Sequence, residues 1–432
     1  MLGKWECVVI GAGPAGVTTA LVLARSGVQV LVLERGEYPG SKNMFGGALY
    51  AGGLNELVPG FWEEAPLERP ITRWVISLLG TDSSASLRFE SERFHRPPYN
   101  AFTVLRSKFD RWYAEKAQQA GATVMCETLV EDFLWEGGKV AGVRVGRRQG
   151  EVLADVVVAA DGVNSLVSRK SGLTRDISAS GVSLGVKEIL EFPGGSVEKN
   201  FSLSGDEGTA QTFVGKATNG IPGAGFIYTN KDSVSVGVVT KLSSLSASGL
   251  RPEELLEGFK RHPSIWPLLK EGVPREYSAH LIPEGRGVSA VTLCADGILV
   301  TGDAAGFTLS TGARLEGANC AIASGIAAAE AILEAKKKRD FSKQSLGVYQ
   351  RLLERHGVLA DMKRFRNAPK FFKNPRLYRD YPEAACALAE SIFTVGPGPR
   401  AGLFKLFNEG IRGKLSWAQI LKDALTGWRA LG

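Results

Sequence analysis

Cysteine is scarce in this chain of 432 residues: there are five, and no two of Cys7, Cys126, Cys294, Cys320 and Cys386 lie closer than 26 positions. An odd, dispersed set forms neither a disulfide framework nor, by local spacing, a zinc or iron–sulfur site, so no metal centre is expected. Histidine is scarcer still, with four residues, and no Ser/His/Asp set or metal-ligand cluster accompanies it. No uncharged apolar run reaches about 18 residues, so no bilayer-crossing helix is expected. The chain runs straight into a strand pattern at Glu6-Cys-Val-Val-Ile10, so no secretory leader is expected. Repeats and low-complexity tracts are lacking as well. With 44% apolar and 22% charged residues, the composition is globular and excludes a disordered chain, a coiled coil or a collagen-like fibre. At about 150 residues per domain, the length corresponds to roughly three packing units. A reducing cytoplasm is the expected compartment.

The net charge of +7 is unevenly placed. From Ala335 onward there are 20 Lys and Arg against 8 Asp and Glu, so the tail carries +12 and the preceding body −5. Such a tail reads as a contact for an anionic membrane surface, a nucleic acid or an acidic protein, or as a solvated basic helix.

Trp5-Glu-Cys-Val-Val-Ile10 has the apolar, β-branched character of a buried parallel strand. It runs into Gly11-Ala-Gly13-Pro-Ala15-Gly16 and a helical pattern stopped by Gly27, then a second β-rich run ending at Glu34. This is a βαβ unit with a dinucleotide fingerprint in register. Gly11 permits the tight turn, Gly13 lets backbone approach a pyrophosphate, and Gly16 allows close packing of helix on strand. The helix N-terminus favours the anion. Glu34, 18 residues beyond Gly16, is placed to accept from ribose hydroxyls and to repel a 2′-phosphate. Arg35 and Val130 are counted with the same cofactor-binding set.

Two later signals select the dinucleotide. Val152-Leu-Ala-Asp-Val-Val-Val-Ala-Ala160 is followed by Asp161-Gly162, and Gly297-Ile-Leu-Val-Thr301 by Gly302-Asp303. The trio resembles the flavoprotein monooxygenase and geranylgeranyl reductase-like superfamily. That resemblance implies FAD, with the carboxylate at Asp303 on its ribityl chain and Arg106, which precedes a helix, near the pyrophosphate or ribose. The strings Leu33-Glu-Arg-Gly-Glu-Tyr-Pro-Gly-Ser-Lys42-Asn43, Ala65-Pro-Leu-Glu-Arg69, Arg96-Pro-Pro-Tyr-Asn100, Val186-Lys-Glu188, Gly225-Phe-Ile-Tyr-Thr-Asn-Lys-Asp232 and His280-Leu-Ile-Pro-Glu-Gly285 narrow the match. Together they resemble the FixC/EtfC flavoprotein subunits of the electron-transfer-flavoprotein–quinone oxidoreductase family, over about residues 5–365.

The resemblance implies a partner set: FixA/FixB-like electron-transfer flavoprotein subunits, a ferredoxin-like iron–sulfur subunit of the FixX kind, and a membrane quinone. It implies oxidation of NADH with bifurcation of the electron pair, the high-potential branch passing through FAD to quinone and the low-potential branch reducing ferredoxin or flavodoxin. The larger single-chain quinone oxidoreductases carry their own cluster cysteines, which this chain lacks, so the iron is expected from a partner. The implied location is cytoplasmic, peripherally on the inner face of the cell membrane.

The expected architecture is α/β plus β. A discontinuous Rossmann-type, glutathione-reductase-like FAD domain (1–75, 100–175, 286–345) is interrupted by an antiparallel β-rich quinone/substrate domain (76–99, 176–285), and a helical basic segment (346–432) closes the chain. The small-residue stretch from Thr311 to Glu330 is expected to turn backbone amides at Gly317 and Ala318 toward the flavin pyrimidine edge, and the loop Gly40–Gly47, with Lys42 and Asn43, to lie over the ring. Flavin-to-quinone transfer needs no nucleophile and no metal, only proximity, an apolar slot and a proton path. His280 is the candidate for that path; no other catalytic residue is assigned. The tail mixes cations with aromatics, and 403–428 carries an amphipathic pattern weakened by Gly410 and Gly413, which reads as membrane attachment or partner docking rather than nucleic-acid binding. The rival functions are a geranylgeranyl reductase-like enzyme, an NADPH-dependent aromatic hydroxylase and a redox-silent flavin scaffold.

Overall fold

The computed structural model describes residues 3–42, 47–146, 150–174, 178–284, 292–311, 314–397 and 399–432. The Lys4–Ile10 strand lies between Val30–Leu33 and Gly150–Ala159 and runs parallel to both. Thr123–Met125 and Ile298–Val300 extend this parallel core on its two sides. Cys7 to Ile10 and Val30 to Leu33 are buried without a break, because helices cover the sheet; continuous burial demands the uninterrupted apolar runs seen in the sequence. An antiparallel pair, Val130–Glu136 with Lys139–Val145, joins the sheet beside Gly150–Ala159.

Three helices, Pro14–Arg25, Arg106–Gln119 and Ala318–Lys338, pack around the fingerprint. Thr18 and Tyr113 hydroxyls meet at 2.7 Å in the buried seam between the first two, a bond whose net contribution is about 1 kcal/mol. The third crosses the first at a glycine: a Cβ on Gly325 would stand 2.6 Å from the Ala15 carbonyl oxygen, and Thr19 Oγ1 donates to the carbonyls of both Ala15 and Gly325. Close approach explains why that helix is built from small residues. Ala318–Lys338 is long and apolar enough to cross a membrane by composition alone, a property absent from the sequence expectation; here it is the central helix of the domain, with Ala327, Ala328, Ala329 and Ala331 fully buried.

A second, seven-stranded sheet runs Val273–Pro283, Val182–Glu191, Ser233–Lys241, Gly223–Thr229, Gly208–Gly215, Ile71–Leu79, Ser84–Glu90. One face buries Val186, Val236 and Phe213 with Leu256 and Phe259 of the Pro252–Lys260 helix in a separate core. The other face looks toward the dinucleotide domain, to which it is tied by the Thr103 hydroxyl donating to the Thr229 carbonyl at 2.9 Å. Two details correct the antiparallel expectation. Ile71–Leu79 pairs parallel with Gly208–Gly215, making the sheet mixed, and it begins at Ile71, so the expected start at residue 76 falls inside a strand. The cause is the long excursion between these strands, which returns the chain to the sheet edge in the same direction.

The C-terminal segment is helical, as expected. Asp380–Phe393 packs on the second sheet, and Tyr381, Ala384, Phe407, Ile411, Leu415 and Ile420 form a small core. The amphipathic pattern across 403–428 becomes two helices, Leu403–Ile411 and Trp417–Leu431, separated where Gly413 adopts φ +74°. An Arg376–Asp423 fork, with N–O distances of 2.7 and 2.6 Å, ties the last helix back.

Candidate functional site

The first crevice is assembled at the C-terminal ends of the parallel strands. Gly11 has φ +96°, and a Cβ there would approach the Ala160 carbonyl oxygen to 2.5 Å; a Cβ on Gly16 would overlap the Gly11 carbonyl oxygen. Gly13 differs: a Cβ on it would meet nothing within 4 Å, so its bare backbone faces open space at the start of the Pro14–Arg25 helix. Glu34, buried at the end of its strand, is locked by two amides, from Ala12 at 2.9 Å and Gly36 at 2.7 Å. A carboxylate so held keeps lone pairs for hydroxyl donors.

The structure brings most of the sequence candidates together. Gly11, Gly13, Glu34, Arg35, Lys42, Val130, Asp161, Gly162 and His280 line one cavity of about 150 Å³. Ala15 lies buried behind it, where a Cβ on Gly302 would come within 2.8 Å of the Ala15 side chain. Gly317 precedes the first turn of the Ala318–Lys338 helix, and a Cβ there would meet nothing within 4 Å. Asn43 lies outside the described residues. Asp161 also braces the turn after Gly162, because its carboxylate accepts from the amides of Val167 at 2.9 Å and Ser168 at 3.2 Å and from the Ser168 hydroxyl.

Electrostatics knit the deeper groups. Arg106 forms a fork on Asp110, with N–O distances of 2.7 and 2.8 Å. Burial pushes Asp303 up to about 6, and the Arg106 charge opposes it. Burial, with a smaller contribution from Arg106, pushes His280 down to about 4, so its imidazole is neutral at pH 7. Lys187 is fully buried on the inward face of the second sheet, 3.7 Å from Glu276; burial lowers it to about 8 despite that carboxylate. Among the described residues no group of His, Cys, Asp and Glu is arranged to hold a metal.

A second cavity of about 430 Å³ lies between the inward face of the second sheet and the C-terminal helices. Its walls are aromatic: Tyr50 and Trp74 stack at 5.9 Å and 2°, Phe226 and Tyr228 at 5.1 Å and 25°, and Phe365, Phe372 and Tyr378 close it from the tail. Thr308, Leu309, Ser310, Arg314 and Leu315, from the stretch joining Asp303 to Gly317, line it as well. None of these wall residues was singled out from the sequence as cavity-forming, because an aromatic in an alternating strand has the same pattern whether it faces a core or a cavity. One signal was available: Lys241 ends an otherwise buried strand on its inward side, where a cation needs a reason.

The bare backbone at Gly13 and Gly317, the braced Glu34 and the buried Asp303 fit the pyrophosphate, ribose and polyol of FAD. Two folded layers with that crevice between them define an FAD-dependent oxidoreductase. The comparisons with known proteins agree. An FAD-binding domain family model matches residues 4–193, and the ETF-QO/FixC family C-terminal domain matches 368–432. The chain is 41% identical over 429 residues to a probable electron transfer flavoprotein-quinone oxidoreductase of Escherichia coli, covering 99% of each chain. It is 39% identical to protein FixC of Azorhizobium caulinodans, again over 99% of each. The chain belongs to the ETF-QO/FixC family. Among solved structures it resembles a geranylgeranyl bacteriochlorophyll reductase-like protein of Thermoplasma acidophilum, with TM-score 0.75, 21% identity and coverage of 98% and 99%. It also resembles the myxobacterial halogenase CndH, with TM-score 0.67, 18% identity and coverage of 95% and 97%. At those identities the likeness is one of fold. The protein is thus an FAD-dependent oxidoreductase of electron transport.

Proposed function

We propose that this chain takes electrons from an electron-transfer flavoprotein onto FAD and passes them to a membrane quinone. The carrying observation is the aromatic cavity of about 430 Å³ that abuts the Asp303–Gly317 stretch. It is apolar, flat-walled where Tyr50 and Trp74 stack, and large enough for a quinone ring with part of an isoprenoid tail. The fingerprint amides and Gly13 backbone would hold the FAD pyrophosphate, Glu34 the adenosine ribose and Asp303 the ribityl hydroxyls, with Arg106 alongside. Gly317 and Ala318 would present helix-terminal amides to the ring. Bound there, FAD supplies the two-electron carrier between a one-electron donor and the acceptor.

The tail supports a membrane-borne acceptor. Phe393, Leu403, Phe404, Leu421, Leu425 and Trp428 are exposed, Phe393 at 83% and Trp428 at 80%, and Lys405, Arg412, Lys414, Lys422 and Arg429 are spaced along the last two helices and the turn between them. Apolar rings flanked by cations are the composition of an interfacial anchor on anionic lipid. On this reading the dinucleotide domain holds FAD, the second sheet, which begins at Ile71, shapes the quinone slot together with Phe365, Phe372 and Tyr378, and the helices beyond them meet the inner face of the cell membrane. FixA/FixB-like donors and a FixX-like cluster subunit complete a bifurcating, NADH-oxidising, ferredoxin-reducing complex.

The test is anaerobic. The reduced holoprotein is divided and mixed with a menaquinone analogue or with geranylgeranyl diphosphate while flavin absorbance is followed. Reoxidation by quinone alone is the expected result. Reoxidation by the prenyl diphosphate alone would make the chain a prenyl reductase, the reading its fold neighbour allows.

A further inference from the structure

One end of the aromatic cavity carries a buried ion pair, apart from the two arginines, Arg314 and Arg366, that also line it. Lys241, at the close of the Ser233–Lys241 strand, Ser183 opposite it on Val182–Glu191, and Glu284, just past Val273–Pro283, all line it. Lys241 Nζ stands 2.6 Å from Glu284 Oε2, and the two side chains are 8% and 13% exposed. The Ser183 hydroxyl donates to Glu284 Oε1 at 2.7 Å, and the Glu284 amide is held by the Gly181 carbonyl at 3.0 Å. Each carboxylate oxygen therefore has a partner, and the backbone beneath it is anchored. The ammonium is not so held: its contact with Glu284 is ionic but poorly directed, and Nζ has no well-aligned hydrogen-bond acceptor among the described residues although it is buried.

A buried ammonium without a well-aligned acceptor carries a desolvation penalty that no hydrogen bond offsets. Lining an apolar cavity, it is poised for an acceptor that arrives with the ligand. On the facing helical segment, Tyr378 is the titratable side chain that feels the pair; its phenol is pushed up by burial and, to a smaller degree, by the Glu284 charge. That phenol stays neutral and leaves Lys241 as the cation of this end.

Resting on the quinone reading above, we propose that Lys241 is a catalytic residue: its ammonium donates a hydrogen bond to one carbonyl oxygen of the bound quinone and transfers a proton to that oxygen, while Glu284 and Ser183 position it. The balance is complete. Quinone takes up two electrons and two protons to give quinol. The electron pair and one proton come from the reduced cofactor, which an electron-transfer flavoprotein recharges; the second proton comes from Lys241. Glu284, which reaches solvent, is the carboxylate beside which Lys241 regains a proton from water. An ammonium in a low-dielectric slot stabilises the charge that develops on the quinone oxygen far more than water would.

The experiment compares wild type with Lys241→Met, Lys241→Arg and the double variant Lys241→Met/Glu284→Gln, each loaded with FAD. The double variant guards against a fold disturbed by a carboxylate left alone in the cavity. The reduced proteins are reoxidised anaerobically by a water-soluble naphthoquinone and, separately, by ferricenium, which takes electrons without a proton. Affinity of the oxidised holoprotein for the naphthoquinone is read by quenching of protein fluorescence. Lys241→Met and the double variant are expected to lose about a hundredfold in quinone rate, the scale of a general acid. Their quinone affinity should weaken about tenfold, and their ferricenium rate should match wild type. Lys241→Arg, still a donor but not an acid, should recover affinity and not rate. A double variant as fast with quinone as wild type would overturn the role of Lys241. A wild type that binds no quinone and is not reoxidised by it would instead refute the quinone reading itself.

Discussion

Two alanine substitutions three residues apart should have opposite signatures. At Gly13, φ is −79° and ψ 177°, which any residue adopts, and a Cβ would meet nothing within 4 Å. Exchanging glycine for alanine at a helix N-cap costs up to about 1 kcal/mol, and reduced chain entropy in the unfolded state returns about 0.4–1 kcal/mol, so the apoprotein should keep its stability within about 0.5 kcal/mol. The added methyl, however, projects into the crevice where the pyrophosphate needs close backbone, so FAD affinity should fall at least about a hundredfold, near 3 kcal/mol. At Gly16 the methyl would overlap the Gly11 carbonyl oxygen and press Val9 Cγ1 at 3.1 Å. The helix must then move off the strand, costing about 1–3 kcal/mol of apoprotein stability before any cofactor is added. Urea unfolding of the apoproteins and FAD titration by fluorescence quenching separate the two. A Gly13→Ala variant that binds FAD like wild type would refute the placement of the pyrophosphate. A Gly16→Ala apoprotein as stable as wild type would refute the packing argument.

The remaining outcomes follow from single groups. Asp303 titrates near 6 when folded, above its usual value of 3.8, because burial disfavours its charge; the unfolded chain therefore binds fewer protons between those values, and apoprotein stability should fall as pH rises from about 4 to 6. Asp303→Asn should remove that slope in pH-dependent urea unfolding and, having lost the acceptor pair for ribityl hydroxyls, weaken FAD binding; a variant with wild-type flavin affinity would contradict the assignment. Arg376→Ala breaks the fork on Asp423, whose side chain is 7% exposed, and leaves it the Tyr381 hydroxyl at 3.1 Å. A loss of about 1–2 kcal/mol, smaller than for a fully buried pair because Arg376 is part-exposed, should make the last helix sensitive to protease while the flavin spectrum is unchanged. Replacing exposed Phe404 and Trp428 by glutamate should abolish sedimentation with anionic liposomes and leave ferricenium oxidation of the reduced flavin intact; equal sedimentation would remove the tail as an anchor.

The parts of this protein that were legible in its sequence are those whose chemistry is local. Gly11, Gly13, Gly16 and Glu34 occupy one strand–turn–helix–strand unit, so spacing alone specifies their geometry, and Gly11, Gly13 and Glu34 line one crevice. Asp161 and His280 reach the same crevice from distant strands, found through resemblance rather than spacing. The mixed second sheet was beyond local reading, since no residue of Ile71–Leu79 records that its partner lies at Gly208–Gly215 and runs parallel. The aromatic cavity was hidden for the same reason: Tyr50, Trp74, Tyr228 and Tyr378 come from four separate segments, and each alone reads as core. Lys187 and Lys241 show where sequence reading can be extended. Lys187 lies within a strand and Lys241 ends one, both on the inward side of one sheet, and each stands beside a carboxylate. Burying an ammonium costs several kcal/mol that an ion pair only partly offsets, so a cation in such a strand marks a place where the fold gives up stability. Both lysines stand on the face of the sheet turned toward the dinucleotide domain, and Lys241 lines the aromatic cavity in which the proposed function seats its quinone.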